Sequence, residues 1–149
     1  MGAWLASDAG DAVFLLSRVD TLTSKPAPTL IMQARHTPEA RMQRIKGYHA
    51  HVYFDASTID QARTLCEEAA HRFGISMGRV HERPVGPHPD WSCQLAFGPE
   101  LLGIVLPWLA ISRHGLVVFL HPDTGNDLLD HTDHAIWMGA MRPLNLSIF

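Results

Sequence analysis

The sequence is short of the features that mark several large classes of protein. It has only two cysteines, Cys66 and Cys93, too few for a disulfide framework and too far apart for a Cys-x-x-Cys metal knuckle. A reducing, cytoplasmic setting is therefore the expectation. Lys and Arg total 12 against 15 Asp and Glu, a net charge of −3. Without a surplus of clustered basic side chains there is no electrostatic case for nucleic acid. No apolar run approaches the roughly 20 residues that span a bilayer, so no membrane partner is expected. The apolar run Ala12–Leu16 is short and follows Asp8 and Asp11, the wrong sign for the start of a secretory signal.

What remains is the profile of a single globular domain. The 149 residues are 46% apolar and 18% charged, with mean hydropathy near zero, enough to bury a core. Residues 1–46 have weak periodicity, turn signals at Lys25-Pro26-Ala27-Pro28 and Thr37-Pro38, and a basic run through Arg41, Arg44 and Lys46. They read as a flexible or peripheral leader, leaving residues 47–149 as the domain.

The abundant residue is histidine, ten in all. Two of them stand in Tyr48-His49-Ala50-His51-Val52-Tyr53-Phe54-Asp55, which reads as a strand. Side chains alternate along a strand, so Ala50, Val52 and Phe54 share one face while His49, His51 and Tyr53 share the other.

Thr58-Ile59-Asp60-Gln61 then has the form of a capping box, and Ile59, Ala62, Leu65, Ala69 and Phe73 recur at helical spacing up to Gly74. A strand is expected over Ser76–Val85, stopped by Pro84 and the run Gly86-Pro87-His88-Pro89. Trp91–Phe97 reads as the next strand. A helical segment runs from Gly98-Pro99-Glu100 to Leu109, with Pro107 forcing a kink or a new turn. Leu116–His121 is a further strand, Asp123-Thr124-Gly125 a turn, and the residues from Leu128 to Trp137 suit a short helix and tail.

The resulting order, βαββαβ, predicts an α+β protein with a ferredoxin-like antiparallel sheet of strand order 4-1-3-2. If the first and third strands run one way and the second and fourth the other, one end of the sheet collects His49, His51, His81, His88, Trp91 and His121. Packed neutral imidazoles each need hydrogen-bond partners and protonated ones repel, so a shared cation is the economical reason for such a cluster. Imidazole ligands allow iron, manganese, copper, nickel or zinc. Glu82 neighbours His81 and points to the opposite face, so a histidine-only ligand set is expected. His36, His71 and His114 are read as ordinary surface or core histidines.

Four irregular stretches carry a resemblance. Tyr48 to Phe54, Gly78-Arg79-Val80-His81-Glu82-Arg83-Pro84-Val85-Gly86-Pro87-His88-Pro89, Pro107-Trp108-Leu109, and His121-Pro122-Asp123-Thr124-Gly125 through Asp130-His131 and Trp137 resemble the DOPA 4,5-dioxygenase family over residues 46 to 144. The resemblance implies a small ferredoxin-like protein that pairs its sheets as a dimeric α/β barrel, and non-haem Fe(II) extradiol cleavage of a catechol such as L-DOPA by O₂.

On that basis His49, His51, His81 and His121 form the pool from which three metal ligands are drawn, with Fe(II) the expected metal and Zn, Mn or Ni the alternatives. His88 is the candidate for proton transfer, or else a brace for the Gly86-Pro87 turn. Tyr53 and Trp91 are candidates for the wall of the ring pocket. Arg79 and Arg83 share a strand face with His81 and are candidates for holding a substrate carboxylate. The places of Asp130, His131 and His134 depend on how the terminal segment docks. Val117 and Phe119 share a face with His121, and that apolar surface predicts a homodimer covering it. A different metal enzyme on the same scaffold, or a metal-binding protein without turnover, are the alternative functions.

Overall fold

A computed structural model describes residues 44–149 of the chain; the expected leader, but for its last three residues, and His36 lie outside them. The longest buried run in the first half of the domain is the centre of the sheet. Strand β1 (Gly47–Phe54) has its last five residues buried, as a strand flanked on both edges and covered on both faces must be. It pairs antiparallel with β3 (Trp91–Phe97) on one side and with β4 (Val117–Asp123) on the other. Strand β2 (Ser76–His81) pairs with β3, and β5 (Ile136–Met138) with β4. The sheet is thus antiparallel throughout, in the order β2-β3-β1-β4-β5.

One face of this sheet is a dry core. Ala50 and Val52 of β1, Cys93 and Leu95 of β3, and Val118 and Leu120 of β4 are fully buried there. Helix α1 (Ile59–Phe73) covers them with Ala62, Leu65, Cys66 and Ala69, the stripe that its helical spacing predicts. Helix α2 (Leu102–Ser112) adds Val105 and Leu109. Gly74 closes α1 at φ 64°, a left-handed conformation in which glycine meets no Cβ penalty, and its N–H bonds the carbonyl of Ala70.

Several local expectations are corrected. The capping box does not form: the Thr58 hydroxyl bonds Asp55 Oδ1 at 3.0 Å, and Gln61 reaches across to the carbonyl of His114 at 2.9 Å. Asp55 instead gathers Ser57 and Thr58 ahead of the helix. Strand β2 ends at His81 rather than Val85. The kink expected at Pro107 is preceded by a separate 3₁₀ turn over Pro99–Leu101, and α2 then runs through Pro107. The fifth strand was not foreseen.

The strand directions also differ from expectation, with the largest consequence for the site. The first and third strands do not run parallel: Tyr48 pairs with Phe97 and Phe54 with Trp91. The start of β1 therefore meets the ends of β3 and β4, while the end of β2 lies at the other end of the sheet with the start of β3.

The other face of the sheet has its own cover. Tyr53, Val117 and Phe119 pack against Ala135, Trp137 and Leu144 from the C-terminal segment of the same chain. The apolar surface that suggested a second copy is occupied without one.

Candidate metal centre

Three histidines come together because of register. His49 and His121 are directly opposed across the β1–β4 pair, and His51 follows His49 on the same face, opposite Phe119. Opposed residues have their Cβ atoms about 5 Å apart, and the rings follow: His49 to His121 is 5.2 Å between centroids, and His51 to His121 is 5.5 Å with the planes nearly parallel. One nitrogen from each lies within 4.8 Å of the others.

The chemistry of these nitrogens fits a cation. Nδ1 of His121 donates to the backbone carbonyl of Pro122 at 2.8 Å, which leaves Nε2 with its lone pair outward. Nε2 of His51 and Nε2 of His121 are both buried with no hydrogen-bond partner among the described residues. Two buried imidazole nitrogens left without partners side by side are costly unless something binds them. Burial lowers the pKa of His51 well below its ordinary value, and the neighbouring imidazoles His88, His121 and His49 push it the same way. Burial takes His121 down to about 4, against the opposing pull of the Pro122 carbonyl. His49, partly buried, is lowered by burial too, with Asp123 working against it. At neutral pH all three are uncharged imidazoles, the form in which a histidine can bind a cation.

The other residues reach the triad from loops. The chain between β2 and β3 starts at the far end of the sheet and folds back over this face. Gly86, at φ 61°, makes the turn possible, closed by the His88 N–H on the Val85 carbonyl at 3.2 Å. The His88 ring is thereby brought 3.9 Å from that of His51, tilted by 35° to it, and burial takes its pKa down to about 4 as well. From the C-terminal side, Asp130 holds the turn after β4. Its carboxylate, 1% exposed, accepts the backbone N–H of Thr124 at 2.8 Å, the Thr124 hydroxyl at 2.7 Å and Nδ1 of His134 at 3.0 Å. Burial raises its pKa, but these bonds outweigh burial and leave it below the ordinary carboxylate range. With the turn held, His131 lies 4.1 Å from His121, its Nδ1 on the Asp127 carbonyl at 2.8 Å.

Together these side chains line a cavity of about 270 Å³ that also takes in Gln94, Pro87, Asp123, Asp127 and Phe149. A larger hollow of about 410 Å³ around Asp55, Asp90, His114 and Arg142 holds none of the triad.

Of the residues singled out from the sequence, the structure brings together His49, His51, His121 and His88. It does not bring His81 to them. His81 pairs with Ser92, two positions along and two strands across from His51, which at ordinary sheet spacings is roughly 12 Å. Trp91 is at that far end too, edge-on to Phe54 at 6.3 Å. Arg79 and Arg83 are exposed and line no part of the cavity. Tyr53 does not line it either; its hydroxyl bonds His88 Nδ1 at 2.7 Å. His131 received no role from the sequence because its place depends on the docking of the 12-residue segment between β4 and β5. The signals for it were Asp130 beside it and His134 three residues on, as on one helix face.

The geometry can now be set beside known proteins. The sequence profile described as the Dopa 4,5-dioxygenase family matches residues 48–148. The chain belongs to that family. Among family relatives, a protein from Amanita muscaria called DOPA 4,5-dioxygenase is 30% identical over 142 residues, covering 86% of this chain and 61% of its own length. An uncharacterized 21.2 kDa protein from Botryotinia fuckeliana is 37% identical over 113 residues, covering 68% of this chain and 62% of its own. The chain thus spans about three-fifths of the length of these relatives. A crystal structure from Nostoc punctiforme, described as a candidate dioxygenase, is 42% identical with a TM-score of 0.69, covering 72% of this chain and 93% of that one. The chain is thus a dioxygenase-family protein with a histidine triad that could hold a metal ion.

Proposed function

We propose that this protein is a non-haem Fe(II) extradiol dioxygenase that opens the ring of a catechol such as L-DOPA with O₂. The observation that carries the reading is the pair of buried, unpartnered Nε2 atoms of His51 and His121 beside His49, at the floor of a cavity of ring size. Three neutral nitrogens from one sheet face leave the opposite side open for other ligands. The name of the Amanita relative supplies the reaction class. When bound, the iron would hold both catechol oxygens and O₂ in one oriented complex.

The chain's own residues have separate tasks. His49, His51 and His121 hold the metal. His88, its ring 3.9 Å from that of His51 and tilted by 35° to it, is the proton-transfer group: it gives a proton to the oxygen being inserted and is restored by the proton that a catechol hydroxyl releases. Pro87, Phe149 and the His131 ring wall the cavity and limit water. In the net reaction the ring C–C bond beside the diol breaks and both oxygen atoms enter the product, a ring-opened semialdehyde. With Arg79 and Arg83 outside the cavity, no arginine is assigned to a substrate carboxylate.

The scaffold is read as a ferredoxin-like sheet with a fifth strand added beside β4. A homodimer is supported by Ile136, Met141 and Ile148, which are exposed along the C-terminal segment. A cytoplasmic setting is supported by Cys66 and Cys93, which are buried and unbridged; no helix among the described residues is long and apolar enough to cross a membrane.

Anaerobic loading with Fe(II), then mixing with a panel of catechols in air while oxygen uptake and visible absorbance are recorded, tests the reading. One O₂ consumed per catechol with a new yellow product supports ring cleavage. Tight metal binding with no uptake across the panel moves the conclusion to another metal-dependent reaction or to a binding protein.

A further inference from the structure

We infer that Tyr53 is a positioning residue for His88: its buried hydroxyl fixes the tautomer and ring orientation of that imidazole, so that the ring proton sits on Nε2, the nitrogen turned away from Tyr53. The inference rests on the role proposed for His88 and adds what makes that role possible.

Sequence parity puts Tyr53 on the histidine face, one step beyond His51 along β1. Its ring is not part of the cavity wall. It is 3% exposed and wedged among Val117, Phe119, Trp137 and Leu144, with the Trp137 centroid at 6.0 Å. That packing leaves the ring little freedom to swing, and its hydroxyl ends 2.7 Å from Nδ1 of His88, itself 7% exposed.

A phenol has one proton to donate, and Nδ1 is the acceptor in reach. With Nδ1 accepting, a neutral imidazole must carry its proton on Nε2. The backbone of His88 is pinned independently, by its own N–H on Val85 and by the Asn145 N–H on the Pro87 carbonyl at 2.9 Å. The turn therefore places the residue, and Tyr53 selects the state of its ring. Without the hydroxyl, the two tautomers and the two ring flips lose the bond that distinguishes them. His88 would still stand beside His51 but would not present a defined nitrogen to a substrate.

Long-range proton–nitrogen correlation spectra of the ¹⁵N-labelled, metal-free full chain read the tautomer directly, with His88→Gln identifying the His88 signals. The expected result is an Nε2-protonated pattern for His88 in the wild type and an averaged or reversed pattern in Tyr53→Phe. Wild-type His88 protonated on Nδ1, or an unchanged pattern in Tyr53→Phe, would overturn the inference; the wild-type spectrum decides even if the variant fails to fold.

Iron-loaded Tyr53→Phe should bind metal as the wild type does and show a kcat ten- to a hundredfold lower with KM changed less than threefold. Unchanged kcat would also overturn the positioning role. If the wild type turns over no catechol at all, the proposed reaction fails, while the spectra still decide whether Tyr53 sets the His88 ring.

Discussion

The two faces of the one sheet are built from the same strands by alternation, yet they answer to different constraints. On the helix-covered face Val52, Leu95, Val118 and Leu120 are wholly buried in one apolar cluster. On the other face His51, His121, His88 and Asp130 are buried almost as deeply, and two of the imidazole nitrogens have no partner. The first face is optimised for packing. The second gives up hydrogen bonds that a purely structural face would have satisfied, which is how ligand sites differ from cores.

That contrast is open to breaking by substitution. The largest effect is expected from His51→Ala or His121→Ala: loss of bound metal and a fall in oxygen uptake of roughly a thousandfold or more, because a metal-dependent reaction has no residual route without its metal. Metal analysis alongside uptake checks this; retained iron in both variants would remove them from the ligand set. His81→Ala, at the far end, should retain metal and activity.

Next in size are changes on the core face. Leu95→Ala or Leu120→Ala should lower unfolding free energy by about 2–5 kcal/mol through lost burial and the cavity left behind, measured by denaturant titration, with metal bound per folded molecule unchanged. If these variants lost metal while still folded, the two faces would not be separable.

Asp130→Asn should cost about 1–3 kcal/mol, since the buried carboxylate serves Thr124 and His134 at once. The sign of its pH dependence follows from its lowered pKa: the contribution is fully present above the ordinary carboxylate pKa and is lost as pH falls through the folded value. Wild type and variant should converge in urea midpoint on acidification, and a gap that widens instead would contradict the assignment.

The smallest effect is expected at the exposed pair of Lys46 and Asp123, 3.5 Å apart. Lys46→Ala should shift stability by less than about 1 kcal/mol, as exposed ion pairs do. Arg83→Ala should leave KM for a carboxylated catechol within about twofold, and a larger rise would return the far end of the sheet to the substrate site.

Much of the fold was legible because its signals are local. The alternation in β1, the helical stripe of α1 and the glycine after it each follow from backbone period and sterics, so their places in the sequence are their places in the structure. The short strand β5 escaped notice because three residues do not make a pattern. Asp55 displaced the capping box because its carboxylate competes for the same hydroxyl.

The histidine site divides along the same line. The sequence by itself determined that His49 and His51 share a face, that the chain is rich in histidine with ten in all, and that the family motifs surround them. Only the tertiary structure decided which distant histidines join them. Pairing direction is a property of two strands together, so the antiparallel β1–β3 ladder sent His81 and Trp91 to the far end while β4 brought His121 opposite His49. His88 and His131 came in on loops whose paths depend on turns and on one buried carboxylate. Contacts of that kind are made through space, and no period along the chain records them.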